Sequence, residues 1–248
     1  NLWQDIQFET RVLSATYQEE GGVWLIRTDK NDTIYSKFCV FATGCLSSSN
    51  TPKFEGIDSF KGLSYHTGHW PHEGVNFTGL KVGVIGTGSS AIQSIPEIAK
   101  QASSLKVFQR TANYTIPARN AKLKSDYVAA IKADYAGLRE RARNKPAGYD
   151  IPLNSQSALE VAKEETELEF QLRWERGGTQ FLGAYGDLLV KPEANELAAS
   201  FVKNKIREIV RDPRVAELLC PTNIIGCKRL CVDTNYYETY NRPNVDLI

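Results

Sequence analysis

The 248 residues carry Lys+Arg 30 against Asp+Glu 29, a net charge of +1, and that balance gives no electrostatic reason to expect nucleic acid or an anionic membrane as a partner. No apolar run approaches the ~18–20 residues of a membrane span and no signal peptide opens the chain, so a soluble cytoplasmic protein is expected. The length permits one large core or two modest ones.

Residues 6–17, 23–28 and 33–41 alternate apolar and polar side chains around Glu19-Glu20-Gly21-Gly22 and Lys30-Asn31-Asp32, which predicts a three-stranded antiparallel meander. Phe41-Ala42-Thr43-Gly44 follows and on its own reads as an ordinary β-turn glycine. Residues 45–60 are rich in Ser, Pro and Gly, as in a linker between domains. His66, His69 and His72 then fall in one short loop without the acid or thiolate that a metal site would add, so no metal is expected. The cysteines Cys39, Cys45, Cys220, Cys227 and Cys231 form no even disulfide set and no Cys-x-x-Cys pair, and they suit reduced thiols. Cys227 and Cys231 lack the second pair or nearby histidine that would complete a metal site.

Residues 81–85 are a short β-branched run that suits a strand of a parallel sheet. Gly86-Thr87-Gly88-Ser89-Ser90-Ala91 follows at once, and an apolar pattern at helical spacing runs from residue 92 to about residue 102. Strand, glycine turn and helix in that order predict a dinucleotide-binding unit. Gly86 permits the tight turn, Gly88 lets a pyrophosphate approach the backbone, and Ala91 allows close helix–strand contact. The N–H groups of the first helical turn, with the Ser89 and Ser90 hydroxyls, would bind the phosphates. The second strand, residues 105–109, ends where NAD-specific proteins usually place an acid. Arg110 and Thr111 stand there instead, and a guanidinium with a hydroxyl suits a 2′-phosphate, which points to NADP(H).

Beyond Pro117, charged and apolar residues interleave at helical spacing over residues 125–144, 157–176 and 194–211. Asp212-Pro213 is read as the stop of the last of these helices. Their charge runs, Arg139-Glu140-Arg141-Ala142-Arg143 included, read as solvated faces. Residues 226–230 return the chain to the sheet, and residues 245–248 form its final strand.

Phe60-x-Gly62-x-x-x-His66-x-x-x-Trp70-Pro71, placed directly before the glycine turn, resembles the fingerprint of type I Baeyer–Villiger monooxygenases. The likeness extends through residues 41–44, 108–120 and 226–245, and so covers nearly the whole chain. Trp70 favours this branch over the related flavin-containing monooxygenases. The resemblance implies an α/β flavoprotein with two dinucleotide-binding domains that uses FAD and NADPH. Residues 1–50 would be part of the FAD domain, with the meander and the strand ending at Thr43 and Gly44 beside the flavin. Residues 51–80 would be a linker bearing the fingerprint. Residues 81–117 and 222–248 would form the NADP-binding Rossmann domain, and residues 118–221 a helical insertion in it.

The implied reaction inserts one atom of O2 next to a ketone carbonyl, through a C4a-peroxyflavin, to give an ester or lactone. In that scheme Arg229 aligns with the arginine that stabilises the peroxyanion, and Lys228 with a lysine that joins Arg110 at the 2′-phosphate. His66 is the fingerprint histidine that links domain motion to cofactor position, and Trp70 and Thr87 complete the implied cofactor contacts. The chain has no methionine and begins without the strand and Gly-x-Gly-x-x-Gly turn of an FAD site, so it is expected to be an internal portion of a longer protein whose remainder completes the FAD domain. Three readings compete: oxidation of N or S heteroatoms, a pyridine nucleotide-disulfide reductase, which the missing Cys-x-x-Cys disfavours, and a non-catalytic NADP-binding fragment.

Overall fold

The computed structural model describes residues 2–46, 48–146 and 148–248; Asn1, Ser47 in the expected linker and Ala147 in the expected insertion lie outside the described residues. Residues 1–69 and 70–248 separate into two compact units. Among the described residues no helix is long and apolar enough to cross a membrane.

The first unit contains the expected meander, with β1 (Val12–Gln18), β2 (Val23–Thr28) and β3 (Thr33–Ser36) in the order β1-β2-β3. Both pairings are antiparallel, with Tyr17 opposite Trp24 and Leu25 opposite Tyr35. The strands are shorter than the alternation predicts. Glu9 takes a left-handed φ of 52°, which breaks the extended run before Val12. At the other end the Ser36 hydroxyl donates to Phe38 O at 2.7 Å, a local turn that ends β3 before residue 41. The β2–β3 turn closes on Thr28, whose hydroxyl donates to the Asp32 carboxylate at 3.1 Å and accepts from the N–H groups of Lys30 and Asp32. Thr28 is the only buried side chain among the described residues of this unit, which therefore has a sheet but no core of its own.

In the second unit β4 (Lys81–Ile85), β5 (Ser104–Phe108) and β8 (Val245–Leu247) form a parallel sheet in the order β4-β5-β8. Between β4 and β5 runs α1 (Ser89–Gln101), which buries Ile92, Ile95, Ile98 and Ala99 in one core with Leu105 and Val107 of β5. That is the stripe expected of a helix covering a sheet. A second parallel pair, β6 (Thr115–Pro117) with β7 (Cys231–Asp233), was not expected, because three residues are too few to show a period of two.

The helical insertion between β6 and β7 corrects the sequence expectations at three points, each through an aspartate. The helix expected over residues 125–144 is two, α2 (Ser125–Ala133) and α3 (Tyr135–Arg143), because Asp134 leaves the helical region (φ −128°, ψ 44°) and its carboxylate accepts from Gly137 N as a cap. The helix expected from residue 157 begins only as α4 (Lys163–Arg176), because Asp187 accepts from the Ser157 hydroxyl at 2.5 Å and from Ala158 N at 2.9 Å and holds that stretch in a turn. After α5 (Pro192–Ile209), Asp212-Pro213 does stop one helix, and it also starts the next, α6 (Pro213–Leu219). Asp212 accepts from Arg214 N, and proline stands where its missing N–H has no partner to lose.

Phe170 and Trp174 of α4 and Ala198, Val202 and Ile206 of α5 form the insertion's core with Phe181. Arg173 is buried with them, its Nε on Glu169 at 2.7 Å and its Nη1 on Pro152 O and Gln180 O at 2.9 Å.

The buried Asp233 fastens β7 to its surroundings. Its carboxylate accepts from the Thr115 hydroxyl and from Tyr236 N, at the start of α7 (Tyr236–Thr239). Burial raises its pKa above the usual 3.8 against the opposing pull of those hydrogen bonds. The folded state thus holds this proton more tightly than the unfolded chain. The stabilisation is full below the ordinary value and is lost as pH rises through the raised one. Asp233→Asn, neutral throughout, should therefore gain in Tm relative to the wild type between pH 4 and pH 7; a Tm difference that stays constant over that range would show that the carboxyl is not held in its neutral form.

Candidate active site

β4 delivers the chain to Gly86, whose N–H continues the ladder to Phe108 O at 2.9 Å while its own φ of 96° turns the backbone away from the sheet. Only glycine takes that conformation without strain. A Cβ at Gly86 or at Gly88 would meet no atom within 4 Å, so the outer face of the turn is open. Gly88 caps α1 with extended backbone and no side-chain bond to the helix end, and the first turn holds no acidic residue. The leading N–H groups of α1, beside the exposed Ser89 and Ser90, are thus presented without a built-in anion.

Thr87, between the two glycines, is buried, and its hydroxyl donates to Thr111 O at 2.9 Å. Asn113 Nδ2 donates to Thr87 O at 2.6 Å. These two bonds join the glycine turn to the loop after β5, where Arg110 and Thr111 are exposed. Gln109, just before them, is tied down by its N–H on Ile248 O and by its side chain on Leu218 O.

The loop of residues 226–230 forms the third wall. Its approach is fixed by Asn195 of α5, which is buried, donates to Leu188 O and Ile225 O at 2.8 Å, and accepts from Ile225 N at 3.2 Å. Gly226 follows with a φ of 91°, and a Cβ there would stand 2.6 Å from Leu189 Cδ2, so both conformation and space call for glycine. Lys228 and Arg229 are exposed beyond it. Cys231 then enters β7, where burial raises its thiol pKa and the adjacent Ser89 hydroxyl opposes the rise. The loop that carries the two cations therefore ends against the first turn of α1. Tyr114 anchors the opposite strand by donating to Pro221 O at 3.3 Å, and burial, with Glu196 nearby, pushes its pKa up to about 12. Arg110, Lys228 and Arg229 make no ion pair among the described residues.

Gly86, Thr87, Gly88, Ser89, Ser90, Arg110, Thr111, Lys228 and Arg229 thus share one unit. Trp70 belongs to the same unit and lies with its ring 6.1 Å from that of Phe77. Thr43, Gly44 and His66 belong to the other. There Gly44 turns with a φ of 66°, and His66 Nδ1 accepts from Gly68 N at 3.0 Å, while the Ser49 hydroxyl pairs with His69 Nε2. Among the described residues no group of three or more His, Cys, Asp or Glu is placed to hold a metal ion.

Asn113, Asn195 and Asp233 were not found from the sequence. Asn195 did leave a signal: it shares the buried stripe of α5 with Ala198, Val202 and Ile206, and a polar side chain on such a stripe needs partners.

The family model described as pyridine nucleotide-disulphide oxidoreductase matches residues 4–171, more than half of the chain. The chain is a member of this family. No two of the chain's five cysteines stand in a Cys-x-x-Cys pair. Within the family it is similar to a Baeyer–Villiger monooxygenase of Pseudooceanicola batsensis, 40% identical over 100% of this chain and 45% of that protein. It is also 38% identical to phenazine N-monooxygenase PhzNO1 of Lysobacter antibioticus, over 100% of the chain and 46% of that protein. Among solved structures, oxidized steroid monooxygenase bound to NADP is 51% identical with a TM-score of 0.93, over 99% of this chain and 47% of that one. The OTEMO complex with FAD and NADP is 37% identical with a TM-score of 0.92, over 99% and 48%. These matches show that the chain has the α/β fold of the corresponding portion of those proteins, as the sequence leads one to expect. The chain spans just under half the length of the curated relatives it matches.

The glycine turn separates strain from contact. Gly86→Ala should lower Tm by about 2–4 °C or more, the effect of ~1 kcal/mol of left-handed strain in a chain of this size. Gly88→Ala, at a φ of −78° with open space around it, meets no such strain and should lower Tm by less, through the weaker alanine cap alone. Equal losses in the two variants would refute the assignment of strain to Gly86 alone.

Proposed function

We propose that this chain is the NADP-binding half of a Baeyer–Villiger monooxygenase, a flavin enzyme that converts a ketone to an ester or lactone with NADPH and O2. The observation that carries the proposal is the open glycine turn at the start of α1, bonded to the Arg110 loop and faced by Lys228 and Arg229, cations with no acidic partner among the described residues. The likeness to a Baeyer–Villiger monooxygenase and to structures holding NADP, or FAD and NADP, supports it.

The residues present fit both cofactors. The uncapped first turn of α1 with Gly86, Gly88, Ser89 and Ser90 would hold the pyrophosphate of NADPH. Arg110, Thr111 and Lys228 would hold its 2′-phosphate, the guanidinium through paired hydrogen bonds and the ammonium as a point charge. Trp70 is a further cofactor contact proposed in this unit; in the other, His66 and the turn at Thr43 and Gly44 are the residues proposed. Gly44 meets no atom within 4 Å, and Phe41 and Leu46 beside it are 62% and 91% exposed, an apolar surface that the remainder of an FAD domain would cover. When bound, FAD and NADPH supply the redox chemistry, by which one atom of O2 is inserted beside the ketone carbonyl and the other leaves as water.

The chain's own part is binding, orientation and charge. Arg229 presents a positive charge to the oxygen that becomes negative during insertion, and at neutral pH it cannot pass its own proton to that oxygen. The five free cysteines fit a reducing compartment, and we assign the protein to the cytoplasm.

PhzNO1 is named for oxidising nitrogen, and its similar identity favours heteroatom oxidation as the second reading. The deciding experiment follows NADPH consumption by the full-length protein with a panel of cyclic and aryl ketones, sulfides and amines. Esters or lactones carrying oxygen from O2 are expected; N-oxides or sulfoxides alone would replace the ketone reading. Arg229→Ala should continue to consume NADPH while ester formation falls by at least about a hundredfold, and ester formed at the wild-type rate would remove Arg229 from the reaction.

A further inference from the structure

We propose that Asn113 is a positioning residue for cofactor selection, which holds the glycine turn and the Arg110 loop at one fixed spacing so that a single NADP(H) molecule engages both. It donates from Nδ2 to Thr87 O at 2.6 Å, and Thr87 in turn donates from its hydroxyl to Thr111 O at 2.9 Å. The bonds span 26 and 24 residues of sequence, so neither follows from local geometry. They act in series on Thr87, the one residue of the turn with a side chain, because Gly86 and Gly88 flank it. A turn with glycine on both sides has wide conformational freedom, and here the restraint comes from outside it. Thr87 is 4% exposed and Asn113 half-buried, which shields both bonds from competition with water.

The inference rests on the assignment of Arg110 and Thr111 to the 2′-phosphate. NADP+ has a phosphate group at each of the two places that this strap connects, the pyrophosphate at the turn and the 2′-phosphate at the loop. NAD+ has only the first. Releasing the loop from the turn removes the preorganisation on which simultaneous contact depends, and it does so for NADP+ alone. A fault in the fold as a whole would weaken both ligands and lower Tm.

The test titrates NADP+ and NAD+ calorimetrically into the full-length protein and its Asn113→Ala, Thr87→Val and Arg110→Ala variants, with Tm recorded for each. Asn113→Ala should weaken NADP+ by about fivefold, the equivalent of one hydrogen bond, while the Kd for NAD+ holds and Tm falls by no more than the roughly 2–4 °C that one such bond accounts for. KM for NADPH should rise at constant kcat. Thr87→Val removes the second bond without changing the side chain's shape and should give the same pattern, which keeps the test open if Asn113→Ala does not fold. Loss of NADP+ preference in Arg110→Ala but in neither strap variant would overturn the role of Asn113 and leave the 2′-phosphate assignment standing. Unchanged preference in Arg110→Ala would overturn both. Equal weakening of NADP+ and NAD+ in the strap variants would reduce the two bonds to ordinary fold stabilisation.

Discussion

Thr115 and Asp233 stand 118 residues apart in sequence, and the buried hydrogen bond between their side chains closes the excursion that carries the whole helical insertion. Length is not the obstacle to such closure, since doubling a loop adds only ~0.6 kcal/mol. What must be supplied is a firm pair of ends. The β6–β7 ladder is only three residues long, but Asp233 reinforces it on three sides: with its carboxylate on Thr115 and on Tyr236 N, and with its carbonyl on Ala118 N at 2.7 Å. Lys228 and Arg229 lie immediately before β7, so the placement of the proposed anion-binding groups depends on this closure more than on any contact of their own.

Most ion pairs among the described residues lie in the insertion, where Arg141 meets Asp134 and Asp150, Arg173 meets Glu169, and Arg207 meets Glu217 with two contacts of 2.6 and 3.1 Å. Arg110, Lys228 and Arg229 are not so matched among the described residues. Arg110 lies on the loop bonded to the glycine turn, and Lys228 and Arg229 on the segment that ends against the first turn of α1, so these cations stand toward the end of the sheet where open α/β folds bind their ligands.

The sequence displayed those parts of the fold whose cause is local. The β-branched run, the two glycines and the 3.6-residue stripe of α1 each act within a few positions, and the strand, turn and helix lie where those signals put them. Helix ends of the insertion were misplaced at Asp134 and Asp187, and the start of α6 was missed at Asp212, because these residues act through side-chain bonds to backbone N–H groups; of the three, only Asp212 stands in a sequence pattern that advertises a start. The same division holds at the site. Arg110 was singled out by residue type and position and Arg229 by the family resemblance alone, whereas Asn113, Asn195 and Asp233 act through partners 26 to 118 residues away that no window of sequence brings into view.

The first unit presents a different physical situation. Phe38, Val40, Phe41 and Leu46 are 83%, 87%, 62% and 91% exposed, and residues 38–46 have no strand partner among the described residues. An apolar, unpaired stretch of that kind is a template for any neighbouring strand. Exposed apolar segments of this kind favour aggregation until another surface covers them, a kinetic matter quite separate from the affinity of the proposed nucleotide site.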